Sequence, residues 1–138
     1  MKVLQSLALA TTASASPPSY QELWFTQTLD HFSFPDDGNP PATFQQRYLF
    51  NDDHWTGKGE LSNGCKGPIL FYAGNEGPID AFWDITGFPT NVLAPKWGGL
   101  LVFGELRYYG KTLPFGDQSL TPENVGYLST EQVKIPAV

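Results

Sequence analysis

Two short, unbroken apolar runs constrain this chain more than any other feature. Pro68-Ile69-Leu70-Phe71-Tyr72-Ala73 ends at Gly74, and Leu100-Leu101-Val102-Phe103 is entered through Gly98-Gly99 and left through Gly104. Runs this short, without polar alternation, fit strands covered on both faces, as in a parallel sheet. The stretch between them, Ile79 to Trp97, has the length of a crossover. Its residues Ile79, Phe82, Trp83, Ile85 and Phe88 partly follow helical spacing, with Gly87 and Pro89 interrupting it. Strand, glycine loop, helix, strand is a βαβ unit with a right-handed crossover. The expected fold class is α/β.

Upstream, Glu22 to Phe34 (ELWFTQTLDHFSF) alternates imperfectly between apolar and polar residues and reads as a half-buried strand. A dense turn cluster, Pro35 to Pro41, separates it from a second strand, Thr43 to Asn51, with Phe44, Tyr48 and Phe50 as candidate core residues. A hairpin or meander therefore precedes the βαβ unit. Asp52 to Gly67 is a polar, glycine-containing surface loop. Beyond Arg107 loop dominates again, and Tyr127 to Gln132 could begin a helix capped by Ser129 or Thr130.

Composition excludes several classes of function. The 138 residues carry a formal charge of −6, with 8 Lys plus Arg against 14 Asp plus Glu. Nucleic-acid binding draws most of its affinity from clustered cations, which this chain lacks. No apolar run approaches the roughly 18–20 residues that cross a bilayer, so no membrane span is expected. A single cysteine, Cys65, excludes an internal disulfide and a thiolate metal cluster. With 14 glycines and 12 prolines the chain is loop-rich, yet 41% hydrophobic residues suffice for a core. Residues 1–19 have one early cation (Lys2), a short apolar middle and a small-residue zone ending at Ser16-Pro17-Pro18. That is the order of a secretory signal peptide, cut near Ala13 to Ser16. A disordered tail is the plainer alternative.

The segment most suggestive of chemistry is Gly74-Asn75-Glu76-Gly77. It follows a buried strand and precedes a helix, where outward-pointing N–H groups suit an anion or a developing oxyanion. An ordinary tight turn explains the same residues. No Gly-Lys-Ser/Thr follows, so a P-loop is excluded. Glu105-Leu106-Arg107-Tyr108 leaves the second buried strand at the same sheet edge, where α/β proteins bind ligands. Glu105, Arg107 and Tyr108 are thus candidates for a pocket mouth. Glu105 and Arg107 could pair with each other or with Glu76, and an arginine there could clamp a carboxylate. A structural ion pair with packed tyrosines is the plainer alternative. His31 and His54 have no partner at metal-ligand spacing, and no metal or cofactor is expected. None of the serines sits in a Gly-x-Ser-x-Gly elbow. The chain has an anion-loop candidate and no visible nucleophile.

Five segments in register resemble one family. They are Phe25 to Phe32 (FTQTLDHF), Thr43 to Tyr48 (TFQQRY), Tyr72 to Gly77 (YAGNEG), Arg107 to Gly116 (RYYGKTLPFG) and Gly126 to Gln132 (GYLSTEQ). Together they resemble the prolyl carboxypeptidase and dipeptidyl peptidase II family of serine exopeptidases, over Tyr20 to about Gln132. The resemblance implies the amino-terminal part of an α/β-hydrolase fold, its sheet incomplete. The implied activity is release of terminal residues next to proline, in lysosomes, vacuoles or outside the cell, by a Ser-Asp-His triad. The family's serine, in a Gly-Gly-Ser-Tyr-Gly-Gly elbow, and its acid and histidine all fall beyond Val138. No catalytic residue maps onto this chain, and His31 takes no such role. What maps is the Asn75-Glu76-Gly77 loop, as part of an oxyanion hole and of the substrate wall.

Two departures stand out. Leu106 occupies the place of the family's histidine in Glu-His-Arg-Tyr-Tyr-Gly, and 133–138 (VKIPAV) diverges from an Ala-rich helix, with Pro136 as a breaker. The expected organisation is therefore a signal peptide over 1–19, a partial peptidase domain over 20–132 and a divergent truncated tail over 133–138. The expected partner of the full-length parent is a peptide with proline near a terminus, and this chain alone is predicted inactive. The competing reading is a non-catalytic truncated isoform acting as a binding or regulatory piece. Its unfinished sheet edges would invite pairing, including a dimer.

Overall fold

The computed structural model describes residues 16–33, 38, 42–57 and 66–133. The signal-like residues 1–15, most of the turn cluster at 34–41, the loop around Cys65 and the tail after Val133 lie outside them. Four strands form one sheet: β1 (Gln21–Thr28), β2 (Thr43–Asn51), β3 (Ile69–Tyr72) and β4 (Leu100–Gly104), in the order β1-β2-β4-β3. β1 pairs antiparallel with β2 from Gln21↔Phe50 to Thr28↔Thr43, and β2 pairs antiparallel with β4. β3 and β4 are parallel, from Ile69↔Leu100 to Tyr72↔Phe103. A hairpin followed by a βαβ unit is what the apolar runs and turn residues dictate.

The crossover packs on one face of this sheet. It comprises α1 (Ile79–Ile85), a π-helical turn (Phe88–Leu93) and α2 (Ala94–Trp97). The irregular turn falls where Gly87 and Pro89 interrupt the helical spacing. Ile79, Trp83 and Ala94 bury themselves against Leu49, Leu101 and Phe103, with Leu70, Tyr72 and Phe82 packed around them. Trp83 meets Phe103 edge-on at 4.7 Å, and Tyr72 stacks on Phe103 at 4.9 Å. Trp83 also donates its ring N–H to the Pro18 carbonyl at 2.9 Å, anchoring the chain just before β1. Burying a large side chain this fully contributes about 3 kcal/mol.

Three expectations are corrected. β3 is not covered on both faces: Ile69 is 52% and Phe71 42% exposed, because the crossover lies on the other side. β1 stops at Thr28 instead of running to Phe34. Past it, the carbonyls of Thr28 and Leu29 turn to Arg107, and the Asp30 carboxylate accepts the Phe32 N–H at 2.9 Å. The helix expected over Tyr127 to Gln132 does not form beyond Tyr127. A 3₁₀ turn over Val125–Tyr127 ends where Leu128 (φ −88, ψ 76) leaves helical space.

Candidate active site

β3 and β4 end on the same edge of the sheet, and the turns that leave them face each other. Gly74 follows β3 with φ +76, a conformation that favours glycine. A Cβ there would stand 2.4 Å from the Gly104 carbonyl and 3.0 Å from the Leu106 nitrogen, so only glycine lets the turns approach. Asn75 then closes the loop on itself. Its side-chain oxygen accepts the Glu76 N–H at 2.7 Å, and its carbonyl accepts the Gly77 N–H at 2.8 Å. The N–H groups of Gly74 and Asn75 meet no acceptor among the described residues. Asn75 and Glu76 are exposed.

A cleft of about 560 Å³ opens beside this loop, lined by Glu76, Leu106, Tyr109, Leu128, Ser129, Thr130, Glu131 and Val133. Of the expected site residues, only Glu76 lines that cleft. Glu105, Arg107 and Tyr108 point inward, at 0%, 2% and 4% exposure. Glu105 pairs neither with Arg107 nor with Glu76. Its carboxylate accepts from Arg47 Nε at 3.1 Å and from Arg47 Nη2 at 2.5 Å. It also accepts the N–H groups of Ile79, Lys111 and Thr112 and the Thr112 hydroxyl, all within 3.1 Å. Gly110, at φ +55, closes over it, and a Cβ there would lie 2.0 Å from Oε1. Every lone pair of the buried carboxylate is thereby used.

Arg47 completes the knot. It also binds Asp80 and, at 3.0 Å, Glu22, which takes the Lys111 ammonium at 2.7 Å. Burial opposes the guanidinium's charge, but hydrogen bonds with Glu105, Asp80 and Glu22 outweigh it and raise its pKa. The knot ties β1, β2, the start of α1 and the turn after β4 at one point. It therefore fixes the α1 flank of the Gly74–Gly77 loop and the turn that faces it.

Arg107 does a different job. It donates to the Leu29 carbonyl at 2.7 Å and the Thr28 carbonyl at 3.2 Å, lies 3.4 Å from His31 Nε2, and stacks over Phe44 at 5.0 Å. Burial pulls its pKa down, and its charge is met by main-chain carbonyls. Gln132 clamps the same hinge from the other side. It accepts the His31 N–H at 2.9 Å and donates to the Asp30 carboxylate at 2.5 Å. His31 thus belongs to a structural clamp. Among the described residues no group of three His, Cys, Asp or Glu is gathered to hold a metal, and no helix is long and apolar enough to cross a membrane.

Sequence reading did not single out Arg47, Thr112, Tyr109 or Gln132. Arg47 alone carried a usable signal: a charge two residues from Leu49 lies on the covered face of β2, where only a buried partner can compensate it.

The strand order, the single crossover and the paired turns at the strand ends define the amino-terminal part of an α/β-hydrolase domain, with a partial, unclosed sheet. The chain belongs to the serine carboxypeptidase S28 family, whose model matches residues 27–135. It is 42% identical to the human lysosomal Pro-X carboxypeptidase over 136 residues, 96% of this chain and 25% of that protein. It is 38% identical to a putative serine protease, pcp-1, of Caenorhabditis elegans, over 89% of this chain and 20% of the relative. It is also 36% identical to the human thymus-specific serine protease, over 80% of this chain and 18% of the relative. The chain spans about a quarter or less of the length of these relatives.

Proposed function

We propose that this chain is the amino-terminal piece of a serine exopeptidase that cleaves peptides beside proline, with its triad contributed by residues outside the chain. In this reading residues 1–19 are a secretory signal, residues 20–132 belong to the peptidase domain, and the protein resides in the lysosome, the vacuole or the extracellular space. The lysosomal Pro-X carboxypeptidase relatives support the substrate class and the location. The observation that carries the reading is the Gly74 turn. It stands at the carboxyl edge of the parallel strands, beside an open cleft, with two main-chain N–H groups uncommitted among the described residues. A serine attacking a peptide carbonyl develops negative charge on the carbonyl oxygen. Preorganised N–H donors at such a turn stabilise that charge without reorganising. The Arg47–Glu105 knot holds the turn in place. Glu105, Arg107 and Tyr108 support the mouth of the pocket from within.

The test is the intact mass of the native polypeptide, captured with an antibody against Arg107–Gly116, followed by labelling with a fluorophosphonate. A longer chain labelled on a serine in a Gly-x-Ser-x-Gly elbow supports the proposal. A native chain ending at Val138, unlabelled, replaces it with the non-catalytic, truncated reading.

A further inference from the structure

Two main-chain carbonyls ahead of β1 are committed to the body of the protein. Trp83, fully buried on α1, donates its ring N–H to the Pro18 carbonyl at 2.9 Å. Asn51, buried at the end of β2, donates its side-chain amide to the Ser19 carbonyl at 2.8 Å. Tyr20 then sets its ring edge-on to Trp83, with centroids 5.3 Å apart. Residues 18–20 therefore bridge the crossover to β2 just before the chain enters the sheet. Without them the Trp83 N–H loses its acceptor, and a buried donor left unpaired costs stability. Composition groups residues 1–19 with the signal, whereas these contacts put Pro18 and Ser19 in the fold.

Upstream of this bridge one bond is suited to removal of a signal. Ala13-Ser14-Ala15 has the small-x-small pattern that precedes a signal cleavage point. Ala8-Leu9-Ala10 has it too, but a cut there draws its recognition residues from the apolar stretch itself. Downstream, the Ser16–Pro17 and Pro17–Pro18 bonds lead into proline nitrogens, which have no N–H to donate. The next bond, Pro18–Ser19, carries the carbonyl that Trp83 holds. Ser16 itself is exposed, so an ammonium group created there meets water.

We infer that the signal is removed at the Ala15–Ser16 bond and that Ser16–Tyr20 stays on the mature chain as a strap locking the crossover to β2. Hydrolysis adds water across that amide, leaving the Ala15 carboxylate on the released peptide and an ammonium on Ser16. The boundary of the signal thus moves from Ser19 to Ala15. The inference rests on the secretory part of the reading above and not on the triad.

The experiment expresses the full-length native chain that carries this sequence, with its own leader, in a secreting cell and reads its amino terminus by Edman degradation. Ser16 as the first residue is the expected result. Any other processed start overturns the assigned bond, and a start past Pro18 overturns the strap as well. A chain that keeps its leader removes the secretory reading and the inference with it, whether or not fluorophosphonate labels the protein. The strap is then measured on its own, by starting the same protein at Ser16 or at Gln21 behind one foreign leader. The shorter chain should unfold in urea with an equilibrium constant about tenfold larger, and equal stability overturns the strap. If the shorter chain does not fold, Tyr20→Ala in the Ser16 chain should lower the urea midpoint, and an unmoved midpoint overturns the strap.

Discussion

The two faces of the sheet are built from the same strands and are similarly apolar in sequence, yet they have opposite fates. On the covered face Leu49 and Leu101 are 0% and Phe103 1% exposed, while on the other face the edge-strand residues Phe25, Ile69 and Phe71 are 41%, 52% and 42% exposed, although the central Leu100 and Val102 fall to 7%. A groove of about 180 Å³ runs along that open face, floored by Tyr48, Phe50, Leu100 and Val102. Side-chain character therefore permits burial but does not assign it. The crossover does, by packing Ile79 and Trp83 on one side, and strand alternation carries the choice to every second residue. The covered face even takes in Arg47 and Glu105, because their polar atoms find partners there.

The knot gives the largest expected effect. Arg47→Leu removes the charge that faces Glu105 and leaves a buried carboxylate with only neutral donors. The chain should lose about 4 kcal/mol of unfolding free energy in urea denaturation, the usual cost of breaking a buried pair. A loss below about 1 kcal/mol would show that the main-chain and Thr112 donors alone suffice. The comparison would then shift: the covered face would be held by its apolar residues, with the knot ornamental to stability.

A smaller effect follows from acid. Glu22 is held below its ordinary range chiefly by the hydrogen bond from Lys111, although partial burial works the other way, with Arg47 adding to the lowering. Asp80 is also lowered: burial pushes it up, and the hydrogen bond from Arg47 overcomes that. Carboxylates with depressed folded-state pKa values contribute stability above their unfolded values, near pH 4, and lose it as pH falls through the folded ones. Unfolding monitored from pH 6 to pH 2 should show this loss beginning below about pH 4. Arg47→Leu should flatten the part that Asp80 contributes, while Lys111 still holds Glu22. An equally steep acid limb in the variant would assign the loss to other carboxylates.

Much of this arrangement was legible in the residues. The apolar runs at Pro68–Ala73 and Leu100–Phe103 placed both parallel strands, and the glycines at 74 and 104 marked where they end. Which face would be covered was not legible, since Ile69 and Leu70 are equally apolar and only the packed crossover separates them. The site was legible in position but not in partnership. Glu105 and Arg107 stand two residues apart, which suggested a mutual pair, but the backbone turn gives each a partner more than 50 residues away. Local spacing cannot report a contact that the sheet order creates. Gln132 shows the same limit: its clamp on Asp30 and His31 spans about a hundred residues of chain.

The smallest expected effect tests the open face. Phe71 lies on the edge strand at 42% exposure, so Phe71→Ser removes only part of the burial that a core phenylalanine would lose. The change should cost about 1 kcal/mol, the typical cost of a single substitution. Leu101→Ala, one strand over on the covered face, should cost about 3 kcal/mol. The same Phe71→Ser variant should weaken self-association in sedimentation, because it interrupts a contiguous apolar patch. The pair of measurements separates two explanations of the exposed phenylalanine. A small stability cost with reduced association means that the face is bare in the isolated chain. A cost above about 2 kcal/mol means that another layer covers Phe71 there, since only a packed site charges that much for lost side-chain volume.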